Sequence, residues 1–271
     1  MYLVLILKAI LLGVVEGITE FLPISSTGHM ILVDEFIKLS ENQQFVTAFE
    51  VIIQLGAILS VIVFFWNKLW PFSGEKEEQK EKWILWSKVV VAVLPAVVLG
   101  LKFDDFIEEK LFNSVVVAIA LIFYGVLLII IENLHKSKKE FKVNSLTKLT
   151  YKTALVIGFF QCLAMIPGTS RSAATIIGGI LFGLNRAIAA EFSFFLAIPT
   201  MFGATLLKIV KVGIGFSSIE WTLIGIAFLV SFVVALIVIK LFMSYIKKKD
   251  FKIFGYYRIV LGIIVLLIIK K

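Results

Sequence analysis

Cysteine is nearly absent. The single residue, Cys162, cannot close an internal disulfide, so a disulfide scaffold is excluded and the sequence reports no redox compartment. Charge is scarce as well: 17% of the 271 residues are charged, against about 25% in an ordinary soluble domain. There are two histidines and three arginines, Arg171, Arg186 and Arg258. Apolar residues are in excess, at 60% against about 45–50% in soluble domains, with a mean hydropathy of +1.01. A soluble globular enzyme and a disordered chain are both excluded. What remains is an all-α polytopic membrane protein, because uncharged stretches near 20 residues recur along the chain. The net charge of +8 does not call for nucleic acid, since the basic residues sit between the apolar runs, where membrane topology explains them.

Six stretches read as transmembrane helices: 46–66, 84–101, 111–131, 187–209, 221–239 and 256–269. The apolar start, 1–15, continues into acids with no small-residue cleavage pattern, which argues against a cleavable signal. Two further regions are interrupted. Residues 3–33 contain Glu16, Glu20 and the run Pro23-Ile-Ser-Ser-Thr-Gly-His29; residues 153–184 contain Pro167-Gly-Thr-Ser-Arg-Ser172. Proline and glycine beside clustered hydroxyls break a helix, and freed backbone at membrane depth is tolerated only inside protein or a wet cavity. Both regions are therefore expected to be re-entrant helical hairpins.

The hairpins resemble one another. Ala9-Ile-Leu-Leu-Gly13, Glu16 and Pro23 parallel Ala154-Leu-Val-Ile-Gly158, Gln161 and Pro167, and Glu50 parallels Glu191, at an offset of 141–145 residues. This spacing points to a duplication within one membrane domain: repeat 1 over about 1–131, a linker at 132–152, and repeat 2 over about 153–271. If the hairpins do not cross, the loops 67–82, 132–152 and 240–255 share one side with fifteen lysines, against seven on the other. The lysine-rich side is expected to be cytoplasmic, with both termini outside. Three spans separate the hairpins, so the repeats are inverted and the loops can meet near the midplane. His135 and the run 136–142 read as solvated cytoplasmic surface meeting anionic lipid.

Glu16, Glu20, Glu50, Arg171 and Glu191 lie inside apolar regions. A charge at the bilayer centre costs roughly 2.5–3.5 kcal/mol even on the lenient insertion scale, so these residues must be paired, protonated, metal-bound or hydrated. Glu16 and Glu20, four apart, share a helix face, and Glu50 and Gln54 repeat that spacing. Arg171 is the natural partner, and its planar fork suits phosphate oxygens. Ser25, Ser26 and Thr27, like Thr169, Ser170 and Ser172, precede apolar turns, where helix N-termini favour an anion. With His29 nearby, the set suits phosphoryl transfer. Glu50, Gln54, Gln161 and Glu191 read as supports.

These residues resemble a known family. Glu16-Gly-Ile-Thr-Glu20-Phe-Leu-Pro-Ile-Ser-Ser-Thr-Gly-His29 and Pro167-Gly-Thr-Ser-Arg-Ser172, with 49–56 and 191–200, are similar to the bacterial undecaprenyl-diphosphate phosphatases of the bacitracin-resistance type. Ala173, where the family more often has glycine, is a small departure. The resemblance implies hydrolysis of a polyprenyl diphosphate to the monophosphate carrier lipid and phosphate, serving cell-wall synthesis and bacitracin resistance. It also implies a site open to the outer face of the bacterial plasma membrane and a divalent cation, Mg²⁺ or Ca²⁺. By matching positions, functional residues fall on Glu16, Glu20, Ser25, Ser26, Thr27, His29, Ser170 and Arg171. The expected roles are Arg171 as diphosphate clamp, helped by Ser170, Thr27 and loop amides, Glu16 and Glu20 as cation ligands with Glu20 also orienting the base, Ser26 as nucleophile, and His29 as acid/base. Attack by water or by His29 itself stays open, as do oligomeric state (a homodimer among the options) and an inverted-repeat transporter or lipid-phosphate flippase.

Overall fold

In the computed structural model, which describes residues 2–136 and 142–269, the chain is built of helices. In order they are α1 Tyr2–Thr19, α2 Ser26–Phe36, α3 Gln43–Phe64, the single turn α4 Trp66–Leu69, α5 Lys76–Leu111, α6 Ser114–Lys136, α7 Tyr151–Cys162, a 3₁₀ turn at Leu163–Met165, α8 Arg171–Leu181, α9 Arg186–Val212, α10 Ser218–Ile246 and α11 Lys252–Ile269. Among the described residues there is no strand, only one isolated parallel bridge between Val143 and Leu184. Six helices, α1, α3, α5, α6, α9 and α10, are long and apolar enough to cross a membrane, so the chain is an all-α multi-pass membrane protein.

Four of the expected spans, 84–101, 187–209, 221–239 and 256–269, lie within a helix. Of the other two, 46–66 runs past the end of α3, and 111–131 begins on the last residue of α5, before α6. Charged ends extend several of the helices. α5 runs for 36 residues through the stretch 102–110 that reads as a loop, and α6 continues past Glu132 to Lys136. Charged side chains beyond the apolar run favour water, not coil, and helix propensity carries the backbone on. The backbone of His135 is therefore helical; its side chain, residues 137–141 and the two terminal lysines used in the charge count lie outside the described residues. Starts are set by side-chain caps. Asn42 accepts from the amides of Gln44 and Phe45, Asn185 accepts from that of Ile188, and Ser217 with Glu220 forms a reciprocal capping box.

Both interrupted regions break near their hydroxyl-rich runs. In the first, α1 is itself 18 residues, longer than a half-membrane dip needs, followed by the 11-residue α2. In the second, α7 and α8 have 12 and 11 residues, too short to span a hydrocarbon core of about 30 Å at 1.5 Å per residue. Across the chain, α1 packs along α10, α7 along α5 and α6 along α11. Two glycines 145 residues apart each bring a helix close to a neighbouring backbone. A Cβ on Gly13 would stand 2.6 Å from the Ala227 carbonyl oxygen, and one on Gly158 would stand 2.2 Å from that of Ala92.

α9 holds the middle of the core. Its Phe192, Phe194 and Phe195 are fully buried, and Phe21, in the first break, meets Phe194 edge-on at 5.1 Å. At the far end, exposed Trp66, Trp70, Phe72 and Trp83 form a chain of ring contacts beside Lys76, Lys80 and Lys82. Such an aromatic and lysine girdle suits a membrane–water boundary.

Candidate active site

Two turns bring the site together. Ser25 and Ser170 each have φ 73°, the two non-glycine residues of positive φ among the described residues. Each caps the helix that follows: Ser25 Oγ accepts from the Gly28 amide at 3.2 Å, and Ser170 Oγ from the Ala173 amide at 3.3 Å. The left-handed conformation costs a serine about 1–3 kcal/mol, and residues so held cluster at functional sites. It places Ser26 first in α2 and Arg171 first in α8.

Those two first residues meet through Glu20. Ser26 Oγ donates to Glu20 Oε2 at 2.7 Å, and Arg171 Nη2 donates to Glu20 Oε1 at 3.0 Å. Arg171 Nη1 donates to the Ser193 carbonyl at 3.0 Å, the guanidinium lies 5.9 Å over the Phe21 ring, and buried Nε has no hydrogen-bond partner among the described residues. Ser193, on α9, is in turn joined to Thr175 at 2.7 Å. Ser172 Oγ donates to the Leu22 carbonyl at 2.9 Å, tying the second break to the first.

Glu20, Ser25, Ser26, Thr27, Gln54, Gln161, Ser170 and Arg171 line one cavity of about 680 Å³. Its other walls are apolar: Val93, Ala96, Val97 and Leu101 from α5, and Leu206, Leu207 and Val210 from α9. Val97, Leu101, Leu206 and Val210 are largely exposed, so this apolar half is continuous with the outer surface between α5 and α9. Both helix N-termini, α2 and α8, contribute to the polar half, where first-turn amides lack intrahelical partners.

Other expected residues sit elsewhere. His29 does not line the cavity: Nδ1 donates to the Ser25 carbonyl at 2.7 Å, Nε2 is 2.7 Å from the Tyr257 hydroxyl, and the two rings stack. Glu191 pairs with Lys68 at 2.8 Å, away from the cavity, whereas Gln161 does line the cavity and is held there by Thr200 at 3.1 Å. Thr169 and Ser172 are buried behind the lining, and Glu50 lies half-buried on α3. Glu16 is buried one turn before Glu20, and its Oε1 has no hydrogen-bond partner among the described residues. No group of three His, Cys, Asp or Glu is found among those residues. Two carboxylates with an orphaned oxygen do fit Mg²⁺, which commonly takes one or two carboxylates and completes its shell with water and phosphate oxygens.

Sequence reasoning missed Arg258. It is fully buried on α11 and reaches both breaks through their carbonyls. The signal was an arginine two residues inside the last apolar run.

Fold and site together define a multi-pass helical membrane protein with a carboxylate–hydroxyl–arginine cluster at the foot of a half-apolar cavity. The family described as bacitracin resistance protein BacA matches residues 9–264, and the chain belongs to that family. It is 58% identical over 263 residues to undecaprenyl-diphosphatase 1 of Clostridioides difficile (strain 630), covering 96% of this chain and 95% of that one. Undecaprenyl-diphosphatases of Acetivibrio thermocellus and Enterococcus faecalis are each 56% identical, over 97% of this chain and 97% and 96% of theirs.

Proposed function

We propose that this chain hydrolyses undecaprenyl diphosphate to the monophosphate carrier lipid and inorganic phosphate, which returns the carrier to cell-wall synthesis and underlies bacitracin resistance. The observation that carries the reading is the Arg171–Glu20–Ser26 chain of hydrogen bonds, set at the polar end of a cavity whose other walls are apolar and open to the surface. A lipid diphosphate needs both halves: cation and amide donors for the head, and an apolar channel for the tail.

In this mechanism Ser26 Oγ attacks the terminal phosphorus while Glu20 Oε2 takes its proton. The bond to the bridging oxygen breaks and the lipid monophosphate departs. Glu20 then releases that proton to solvent, and water attacks the phosphoserine phosphorus. Glu20 Oε2 takes the water's proton and returns it to Ser26 Oγ as the P–O bond to serine breaks and inorganic phosphate leaves. Arg171 binds the diphosphate through its free Nε while Nη2 keeps Glu20 oriented, and loop amides at Thr27 and Ser170 share the charge. Glu16 and Glu20 would hold the divalent cation, whose contribution when bound is neutralisation of phosphate charge. His29, with both ring nitrogens engaged, holds the Ser25 peptide. That replaces acid/base duty with positioning.

We further read the molecule as inverted repeats of about 1–131 and 153–271, with each break dipping from an opposite face, both termini outside and the cavity opening outward in the bacterial plasma membrane. The paired positive-φ serines, the paired glycine approaches and the lysine count support this reading. Labelling of a Ser40→Cys protein from the cytoplasm alone would overturn the orientation. The activity is tested by phosphate release from undecaprenyl diphosphate by purified protein, with Arg171→Lys as control. No release by the unsubstituted protein refutes it.

A further inference from the structure

We propose that Arg258 is a positioning residue that locks the two helix breaks into one frame and so fixes Ser26, Glu20 and Arg171 in register; the inference rests on the diphosphatase reading above. Its side chain is fully buried on α11 and does not itself line the cavity. Nη1 donates to the Pro23 carbonyl at 3.2 Å; Nη2 donates to the carbonyls of Gly168 at 2.7 Å and Thr169 at 2.9 Å, with Ala120 at 3.5 Å. One planar fork thus spans both breaks. Its targets lie immediately upstream of Ser25 and Ser170, the two serines held at φ 73°. Strained backbone persists only where surrounding contacts over-determine it, and here the over-determining group is the same for both.

The cation has no carboxylate within ion-pair distance among the described residues; its charge is met by peptide carbonyls alone. A helix that needed only to pack against α6 would be at least as stable with an apolar side chain, since buried ionic groups seldom add net stability over well-packed hydrophobes. Geometry is what the arginine adds. A lysine has three donors but on a single nitrogen, without the fixed fork that puts Nη1 on Pro23 and Nη2 on Gly168 and Thr169, so it is expected to hold one break more firmly than the other.

The test uses full-length protein in detergent, as Arg258→Met and Arg258→Lys. Hydrogen exchange is read over 20–29 and 166–173, alongside kcat and KM for phosphate release from undecaprenyl diphosphate. The methionine variant is expected to exchange faster in both segments and nowhere else, and the lysine variant in one of them. The kcat of Arg258→Met should fall about 100-fold, the scale of a 1 Å misplacement, with KM little changed. In a Ser25→Gly/Ser170→Gly background the same substitution should cost only about tenfold, because glycine takes positive φ without strain. Unchanged exchange, a rise across the whole molecule, or an identical loss in both backgrounds overturns the proposal. If the methionine variant cannot be purified, Arg258→Lys carries the test alone: faster exchange confined to one of the two segments supports the clamp, and unchanged or molecule-wide faster exchange overturns it. If unsubstituted protein releases no phosphate, the diphosphatase reading fails, while the exchange data still decide the clamp.

Discussion

Two buried arginine–carboxylate pairs stand among the described residues, and they are built differently. Arg186 grips Glu132 with Nε on both carboxylate oxygens, at 2.9 and 3.1 Å, and Nη2 at 2.5 Å; the Phe251 amide adds a further bond to Oε1. Glu132 is fully buried and its acceptors are taken, so α6, α9 and α11 are stapled at one end. Arg171 meets Glu20 through one hydrogen bond, leaves Nε unpartnered, and shares the carboxylate with a hydroxyl facing a cavity. A saturated pair has nothing to offer a ligand. An unsaturated one, retained despite the cost of orphaned buried donors, has capacity reserved for something that arrives.

The comparison can be broken at the site or at the staple. Ser26→Ala should have the largest effect, lowering kcat by ~10⁴-fold or more while the protein still binds the lipid diphosphate, because removing a nucleophile leaves only binding and electrostatics. Substantial residual turnover would move the attack to water. Arg171→Lys keeps the charge but loses the fork, and kcat should drop about 10²–10³-fold with little change in melting temperature. Near-normal turnover would discard the clamp. Glu132→Gln is comparable in size but opposite in kind: breaking a buried pair costs about 3–5 kcal/mol of stability, and kcat per folded molecule should hold. Should Glu132→Gln instead abolish turnover in protein that melts normally, the division between staple and site would be mistaken.

Much of this was legible in the sequence. Composition alone gives the helical membrane class, and Pro23 and Pro167 beside hydroxyl runs locate both breaks. The expense of intramembrane charge singles out Glu20 and Arg171, which the fold joins across 151 residues. What was not legible depends on groups that carry no side-chain pattern. Arg258 binds carbonyls, and every residue has one, so no spacing announces its partners. Glu132 looks like the start of a loop because it follows an apolar run, and only tertiary packing brings Arg186 to it. The ends of α5 were hidden for a related reason: charges at 102–110 mark solvent, and the helix continues into it.

His29 offers the smallest effect and the sharpest discrimination. A histidine three residues beyond Ser26 in sequence invites an acid/base role, yet it is not among the residues that line the cavity. The Ser25 carbonyl can only accept, so Nδ1 carries a proton, and Nε2 is occupied by the Tyr257 hydroxyl 228 residues on. If the ring's task is to hold the Ser25 peptide, an asparagine amide can donate the same bond. His29→Asn should then keep kcat within about tenfold of the unsubstituted protein and leave the shape of the pH–rate profile unchanged, whereas loss of a true acid/base typically costs about 10²–10⁴-fold. Tyr257→Phe should cost less still, since it removes a contact outside the cavity. A loss of three decades for His29→Asn, with one limb of the pH profile gone, would return the imidazole to the reaction and require the α2 turn to open toward the cavity when substrate binds.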